Sequence, residues 1–281
     1  MKITFSFGKN WVNYVKNFVD WEKLKDAEKS LLKYLNEKDY KDKVFIDVGC
    51  GSGIFSLGAI NLGTKKTISF DIDSFSIKAT RLIKEKYLNK KADWEIFKGD
   101  ILDEELVKRF SGTGDILYSW GTLHHTGNMY RAIKNTCELV KPNGYVILAI
   151  YNKAPSSDFW LKVKKFYNLV PALIKILMVY LIFLYVVFKR MGFYLKSKIT
   201  GKASPILSKK TRGMSIFHNV VDWLGGYPYE YATFEEIKGY VENLGFKLIK
   251  APTKLPSSPK TFFNRFSFKH IGNNEFVFQR I

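Results

Sequence analysis

Cysteine is scarce in this chain, and no secretory signal is visible. Only two cysteines, Cys50 and Cys137, occur among 281 residues. Two thiols cannot form a disulfide framework and favour a reducing compartment. The first ten residues, MKITFSFGKN, contain no apolar run of the kind that a signal peptide needs. We therefore expect a cytoplasmic protein, and the sequence shows no internal repeat or low-complexity tract.

Acidic residues are also few, because 26 Asp and Glu face 45 Lys and Arg, which gives a net charge of +19. The excess is local. Between Asn152 and Arg212 there are thirteen Lys and Arg but a single acid, Asp158. A local excess of positive charge indicates a local cause, such as an anionic partner. With 46% hydrophobic residues, the chain can bury an α/β core and still carry an insertion.

The segment Val44–Phe55 (VFIDVGCGSGIF) is an apolar strand that continues into a glycine-rich turn. Asp47 precedes the turn, and Gly49, Gly51 and Gly53 occupy alternate positions. Glycine allows positive φ and a close approach of the backbone to a ligand. A helix that follows the turn presents free N–H groups to that ligand. The spacing differs from G-x-G-x-x-G of dinucleotide sites, and an acid at the turn suits an ammonium group better than a pyrophosphate.

Two further predicted strands also end in acids. Thr67–Asp73 (TISFDID) places Asp71 about twenty residues beyond the turn, where such folds carry the carboxylate that binds ribose. Asp73 competes for this role but lies two residues further along. The third strand, Trp94–Lys98, leads into Asp100. Strand and acid thus alternate three times.

This pattern, D-x-G-x-G-x-G with acids after the next two strands, resembles the cofactor site of class I S-adenosylmethionine (SAM) methyltransferases. The resemblance implies SAM as cofactor and S-adenosyl-L-homocysteine (SAH) as product. It implies that the turn binds the methionine part, that Asp71 binds the ribose, and that Asp100 with Ile101 binds the adenine. The implied cofactor contacts are Asp47, Gly49, Cys50, Gly51, Gly53, Asp71, Ile72, Asp100, Ile101 and Trp120.

The loop YSWGTLHHTGN and the following KPNGYVILAIYN narrow the resemblance to the methyltransferase type 11/12 group. Many of its members are similar to quinone-biosynthesis methylases. The similarity covers Lys43–Asn152. It implies an α/β fold, with a Rossmann-like seven-stranded sheet, helices on both faces and an antiparallel last strand. A hydrophobic, basic helical insertion follows the fifth strand.

The loop Gly121–Gly127 follows the predicted fourth strand, at the sheet edge where open α/β folds bind ligands. It lacks the Asn/Asp-Pro-Pro-Tyr of amino-group methyltransferases, and neither cysteine lies in it. His125 or His124 is the predicted general base for a hydroxyl acceptor, because imidazole exchanges protons near neutral pH. The alternative is that either histidine only bonds backbone and shapes the site.

Four regions are predicted: an N-terminal arm and helix that act as a lid (1–36), the SAM-binding core (37–152), a helical insertion or cap (153–229), and a C-terminal helix and strands that complete the sheet (230–281). Within the insertion, His218 and Asp222 form an i, i+4 pair that orients substrate or fixes the lid locally. No set of residues has metal-ligand spacing. The predicted substrate contacts are Trp11, Tyr151, His218 and Asp222.

The insertion contains Ala172–Phe188, which is apolar except for Lys175. Seventeen residues are barely enough to span a bilayer, and a single crossing would separate the last two strands from their sheet. The remaining choices are a helix in a membrane interface, a buried cap, a contact with a second copy, or a re-entrant hairpin. Basic residues flank the segment on both sides and suit anionic lipid or a solvated rim. They are Lys162, Lys164 and Lys165 before it, and Lys189, Arg190, Lys196 and Lys198 after it.

We therefore predict a SAM-dependent methyltransferase that O-methylates a hydrophobic or membrane-associated small molecule, such as a quinol, a lipid or a lipid-linked sugar. Peripheral association with the inner face of the membrane and a homodimer through the insertion stay open. One alternative is an RNA methyltransferase, because Phe262–Lys269 interleaves aromatic and basic residues. This run is weak evidence, since the stretch from Asn152 to Arg212 around the apolar segment carries +12 (13 − 1) of the net charge of +19. Another alternative is a non-enzymatic SAM-binding partner protein.

Overall fold

The computed structural model describes residues 7–89, 91–200, 216–256 and 270–281. The chain divides into two compact units, which are described separately. The core unit is Ser6–Leu161 with Pro228–Ile281, and the insertion unit is Lys162–Tyr227. The strands are β1 (Val44–Val48), β2 (Lys66–Asp71), β3 (Asp93–Lys98), β4 (Gly114–Trp120), β5 (Val140–Tyr151), β6 (Phe246–Thr253) and β7 (Asn273–Arg280). The helices are α1 (Gly8–Asn17), α2 (Trp21–Leu31), α3 (Glu37–Tyr40), α4 (Ile54–Asn61), α5 (Ser74–Tyr87), α6 (Glu104–Phe110), α7 (Met129–Glu138), α8 (Ser157–Leu169), α9 (Ala172–Thr200), α10 (Ile216–Gly225) and α11 (Phe234–Glu242).

The core unit is built on one sheet of seven strands in the order β3-β2-β1-β4-β5-β7-β6. The first five strands are parallel, and β7 pairs antiparallel with both β5 and β6. All five residues of β1 are buried, as expected for a parallel strand that helices cover on both faces. The predicted α/β architecture and its antiparallel last strand are confirmed.

Alternate residues of the central strands pack into two separate cores. Ile46 and Leu117 point to one face, where they pack with apolar side chains of α7 and α11. Phe45 and Ile116 point to the other face, against residues of α2, α3 and α4. Because side chains alternate along a strand, the pairing register of the strands determines which residues enter each of the two cores.

The strand order reverses between β1 and β4, so the segments that follow these two strands lead away from each other. Such a reversal opens a crevice at the carboxyl ends of the strands, where α/β folds bind ligands. Strand β1 pairs with β4 through Asp47 opposite Tyr118. The glycine-rich turn after β1 and the histidine loop after β4 therefore border the same crevice.

The insertion unit contains a small apolar core that three helices share. Tyr167 of α8, Val179 of α9, and Val220 and Leu224 of α10 are its buried members. Lys164 is also buried in this unit, where its Nζ donates to the carbonyl oxygen of Trp223. Each helix contributes one apolar stripe to this cluster.

Helix α9 is longer than the predicted apolar segment and runs for 29 residues. Among the described residues it is the one helix with the length and composition to cross a membrane, and its most apolar 18 residues have a mean hydropathy of 2.2. Only 6% of its most apolar window is buried. An apolar helix of a soluble core would be mostly buried.

Candidate functional site

The glycine-rich turn has the backbone conformation that its sequence predicts. Gly49, Gly51 and Gly53 all have positive φ, at 75°, 55° and 81°. The N–H groups of Gly49 and Cys50 both donate to the carbonyl oxygen of Phe70, at 2.8 and 3.1 Å. These bonds tie the turn to β2, and helix α4 starts directly after Gly53.

Side chains from three other parts of the chain pack against these glycines. A Cβ on Gly49 would lie 2.2 Å from the side chain of Thr122 in the loop after β4. A Cβ on Gly51 would lie 3.1 Å from Nε1 of Trp11 in α1, and one on Gly53 would lie 2.7 Å from the side chain of Thr80 in α5. The turn is therefore held from several sides.

Asp47, at the end of β1, is buried and points away from bulk water. Its Oδ2 accepts a hydrogen bond of 2.5 Å from Oγ of Ser56 in α4, and Ser69 donates in turn to Ser56. Burial raises the pKa of Asp47 from 3.8 to about 7, although the Ser56 bond opposes this rise. A positively charged ligand beside this carboxyl would compensate for the cost of burying its charge.

Asp71, at the end of β2, fixes the turn through its side chain. One carboxylate oxygen accepts from N–H of Gly51 at 3.1 Å, and the other accepts from N–H of Asp73 at 2.8 Å. Burial raises the pKa of Asp71 to about 6. The next residue, Ile72, is 60% exposed, which leaves an apolar side chain available beside the carboxylate.

Asp100 follows β3, and its Oδ1 accepts from N–H of Leu102 at 2.9 Å. The neighbouring Ile101 lies in the hydrophobic core, and its carbonyl oxygen accepts from Asn135. Of the two isoleucines predicted to contact cofactor, Ile72 thus offers the more accessible apolar surface. Their contacts to adenine stay predictions.

Two other predicted cofactor residues direct their side chains to protein groups. Sγ of Cys50 lies 3.3 Å from Oγ1 of Thr80, and burial raises the pKa of this thiol. Nε1 of Trp120 donates to Oη of Tyr34 and to Oε1 of Glu275, at 3.1 and 3.0 Å. Any cofactor contact of these two residues would therefore involve other atoms than the thiol and the indole N–H.

Helix α1 is anchored beside the turn by its first residue. N–H of Gly8 donates to Oδ2 of Asp73 at 2.9 Å, while Oδ1 of Asp73 caps α5. A Cβ on Gly8 would lie 2.5 Å from the backbone N of Ser76, so only glycine allows this approach. The anchor places Trp11 against Gly51 and puts the ring of Phe7 5.1 Å from that of His125.

The two predicted histidines differ in their hydrogen bonds. Nδ1 of His125 lies 2.6 Å from the carbonyl oxygen of Pro228, which can only accept, so Nδ1 carries a proton. Nδ1 of His124 lies 3.3 Å from the backbone N of Tyr151, which can only donate, so Nδ1 of His124 is the acceptor. In the neutral ring the basic lone pair is therefore on Nε2 of His125, whereas Nε2 of His124 carries the proton.

Aromatic side chains surround His125. The ring of Tyr151 lies 5.4 Å from that of His125, and the ring of Tyr229 lies 5.1 Å from that of Tyr151. Glu230 follows Tyr229 and accepts from N–H of Met129 at 3.1 Å. Trp11, Tyr151 and His125 thus come together around the crevice, together with the turn.

The other predicted substrate contacts lie in the insertion unit or beyond the described residues. Asp222 is in α10, and the side chain of His218 is outside the described part of the chain. The aromatic and basic run Phe262–Lys269 also lies outside it. The described residues contain no group of three or more His, Cys, Asp or Glu that could hold a metal ion.

The arrangement fits SAM. Positive-φ glycines keep the turn free of Cβ atoms at Gly49 and Gly51, and two carboxyls, Asp47 and Asp71, flank it with raised pKa values. SAM has an ammonium group, which can pair with a carboxylate, and ribose hydroxyls, which can donate hydrogen bonds to one. Asp100 lies after the third strand, in chain order with the first two acids.

The sequence profile of a family described as "Methyltransferase domain" matches residues 21–197. This match covers more than half of the chain. The chain belongs to the methyltransferase domain family. The prediction of a class I SAM-dependent methyltransferase is confirmed.

Curated relatives of this methyltransferase match over a limited segment. A ribosomal protein L11 methyltransferase of Thermoanaerobacter pseudethanolicus is 35% identical over 92 residues, which are 33% of this chain and 28% of that protein. The corresponding protein of Legionella pneumophila (strain Lens) is 50% identical over 50 residues, 18% of this chain and 17% of that one. The chain thus matches less than a third of the length of these relatives.

Solved methyltransferase structures match over nearly the whole chain. Magnesium protoporphyrin IX methyltransferase from Synechocystis PCC 6803, crystallised with SAH, has a TM-score of 0.53 and 14% identity, and covers 98% of this chain and 95% of that one. A putative sarcosine dimethylglycine methyltransferase from Galdieria sulphuraria has a TM-score of 0.54 and 10% identity, with coverage of 92% and 86%. At these identities the likeness shows the fold alone.

The sequence did not point to several residues that shape this methyltransferase site. Thr80 and Thr122 pack against the glycine turn from distant segments, and the carbonyl of Pro228 fixes the His125 ring across 103 positions. Phe7, the residue directly before α1, contacts the ring of His125. A threonine or proline has no motif of its own, so only the tertiary structure reveals these roles.

Proposed function

We propose that this methyltransferase transfers a methyl group from SAM to a hydroxyl oxygen of a hydrophobic small molecule, with His125 as general base. One observation carries the proposal. The carbonyl of Pro228 holds the proton of the ring on Nδ1, at 2.6 Å. The basic nitrogen of His125 is then Nε2, on a loop that borders the glycine turn.

SAM supplies an electrophilic methyl group on a sulfonium sulfur when it is bound. The turn with Asp47 holds the methionine part, Asp71 holds the ribose hydroxyls and Asp100 holds the adenine. Positioning of the acceptor oxygen in line with the methyl carbon accounts for most of the rate. The protein residues therefore act mainly by fixing geometry.

His125 receives the proton that the hydroxyl loses. The methyl carbon would exchange its bond to the sulfonium sulfur for a bond to the acceptor oxygen, with SAH as the leaving group. The O–H proton would pass to Nε2, while Nδ1 keeps its bond to Pro228. The resulting imidazolium later returns the proton to water. Phe7, directly before α1, lies beside the histidine, and Trp11 of α1 lies against the turn, where they exclude water during the transfer.

The surroundings of His125 favour an apolar or aromatic acceptor. The rings of Phe7 and Tyr151 lie beside it, and the ring of Tyr229 packs on that of Tyr151. Aromatic rings stack on other rings and on apolar chains. A quinol, a lipid or a lipid-linked sugar presents a hydroxyl next to such a surface.

The experiment uses SAM with an isotopically labelled methyl group. The purified protein is incubated separately with a total lipid extract, with total RNA and with a mixture of small aromatic hydroxyl compounds that includes a quinol. We expect label in the lipid or quinol fraction, in a bond that resists mild alkali because it is an ether. Label in RNA alone would instead support the RNA methyltransferase alternative.

The role of His125 is tested with one substitution at this residue and one control substitution at another histidine. His125→Asn keeps an N–H near Nδ1 for the Pro228 carbonyl but removes Nε2, whereas His270→Gln changes a histidine elsewhere. We expect His125→Asn to lower kcat by about 10² to 10⁴ while the Kd for SAM stays unchanged. Full activity in His125→Asn would reduce this histidine to a structural role.

Non-enzymatic SAM binding makes a different prediction. A SAM-binding partner protein would release no SAH with any of the three fractions, and Asp71→Ala would leave its biological function unchanged. The histidine loop beside the turn argues against this alternative, because a scaffold has no use for an oriented base.

A further inference from the structure

Helix α9 has two faces, and only one of them packs on the protein. Val179 is buried, and Met178, Ile182 and Val186 are partly buried against the small core of the insertion unit. These positions recur every three or four residues, as expected for one stripe of a helix. This stripe is the inner face.

The opposite face is apolar and exposed. Leu173, Ile176, Leu177, Leu181, Leu184 and Phe188 are 46% to 78% exposed. They also recur at helical spacing, so they form one continuous outer face. A helix at the surface of a soluble protein normally has charged or polar residues there.

Basic residues precede and follow this outer face along the chain. Lys162 and Lys165 are in α8, before it, and Lys189, Arg190 and Lys198 follow it in α9. Helix α9 contains no acidic residue. An apolar stripe with cations at its ends matches the boundary between acyl chains and anionic headgroups.

We propose that the outer face of α9 docks onto a membrane that contains anionic lipid. The helix lies in the interface, parallel to the surface. Its apolar side chains enter the acyl boundary, and the flanking cations contact lipid phosphates. The inner face stays on α8 and α10.

The packing of the inner face favours a helix that lies on the membrane surface over one that spans the bilayer. A spanning α9 would have to carry α8 and α10, which pack on its inner face, into the bilayer with it, together with the charges of Lys162 and Lys165 in α8. In addition, the run from Ala172 to Phe188 is about 25 Å long at 1.5 Å per residue, which is shorter than the roughly 30 Å hydrocarbon core.

Charge argues against a second copy of the chain as the occupant. Antiparallel pairing of two outer faces would bring the cations at the start of one face against those at the end of the other. Since α9 contains no acid, the helix itself offers nothing to neutralise these like charges. Anionic lipid neutralises them directly.

The experiment is flotation of the full-length protein with vesicles of phosphatidylcholine alone or mixed with phosphatidylglycerol. Leu177→Glu/Leu181→Glu places two charges on the outer face. The control, Leu32→Glu/Ile249→Glu, places the same charges at exposed apolar positions of the core unit, which are 39% and 49% exposed. Circular dichroism and SAM binding report whether each variant is folded.

We expect flotation with the mixed vesicles only. The α9 variant should bind them at least about 30-fold more weakly, because two apolar side chains no longer leave water, and the control should float like the wild type. If the α9 variant fails to fold, Lys189→Gln and Arg190→Gln serve instead, each with an expected loss of about five-fold.

Three results would overturn the proposal. The first is that the protein is monomeric and does not float. The second is that it does not float and forms a dimer, which the substitutions in the α9 variant dissociate. The third is that salt abolishes flotation while the α9 variant floats like the wild type. The proposal is independent of the acceptor: a protein that floats but does not methylate lipids or quinols retains the docking surface and loses the proposed function.

Discussion

Replacing Asp47 with asparagine is a direct test of how the site is built. Asp47 is 2% exposed, and its carboxylate accepts a short bond from Ser56. Asparagine keeps the shape and an oxygen that accepts this bond, but it cannot carry a charge. The substitution therefore isolates the cost of a buried carboxylate.

The size of this cost follows from the pKa. Burial raises the pKa of Asp47 from 3.8 to about 7, and at about 1.36 kcal/mol per pH unit this difference corresponds to at most roughly 4 kcal/mol. Because the pKa is higher in the folded state, the folded protein binds more protons than the unfolded chain between pH 4 and 7. Stability from this group is present at low pH and is lost as the pH rises to 7.

We therefore expect Asp47→Asn to stabilise the cofactor-free protein at pH 8, by up to roughly 4 kcal/mol, and to change little at pH 4. The same substitution should weaken SAM binding at pH 8 by about 10- to 100-fold, since a charge-assisted bond contributes about 1.5–3 kcal/mol. Wild-type affinity for SAM should rise with pH up to about 7.

Urea unfolding at the two pH values measures the first effect, and titration calorimetry with SAM measures the second. Asp103→Asn is the matched control, because Asp103 is an exposed helix cap whose role asparagine can fill. Equal stability of wild type and Asp47→Asn at pH 8 would refute the argument from burial. Unchanged SAM affinity would remove Asp47 from the cofactor site.

Two further predictions concern the turn and α1. Gly49→Ala and Gly121→Ala both place alanine at a similar positive φ, which costs about 1–2 kcal/mol. Only the Cβ at position 49 would also clash, at 2.2 Å from the side chain of Thr122, whereas a Cβ at position 121 meets open space. Urea unfolding should show that Gly49→Ala loses at least about 1 kcal/mol more, and equal losses would contradict the packing. Trp11→Ala should raise the Kd for SAM by about ten-fold, a loss of about 1.4 kcal/mol, whereas exposed Trp21→Ala should not. Equal effects in calorimetry would remove Trp11 from the site.

Local sequence patterns predicted the individual strands and the turn, because each depends on residues close in the chain, whereas the seven-stranded sheet was implied by the family resemblance. Strand β1 is a continuous apolar run, and the alternate glycines follow it directly. The acids at the ends of β2 and β3 follow from the same local order. An apolar strand followed by alternate glycines and a helix is a local pattern that indicates a strand–turn–helix unit.

The contacts that complete the site could not be predicted in this way. The bond from His125 to Pro228 joins residues 103 positions apart, and Trp11 meets Gly51 through the fold alone. No periodicity encodes which residue of a distant loop lies over a turn. The long apolar segment was recognised from composition, but which face of α9 is buried depends on α8 and α10.

The attachment of α1 to Asp73 has a kinetic consequence. The helix places Trp11 against the turn and is held by the bond from Gly8 to the cap of α5. A nucleoside product bound between Trp11 and this turn would have to wait for α1 to move before it could leave. Loss of the Gly8–Asp73 bond, for example in Asp73→Ala, is therefore expected to speed the release of product if this release limits turnover.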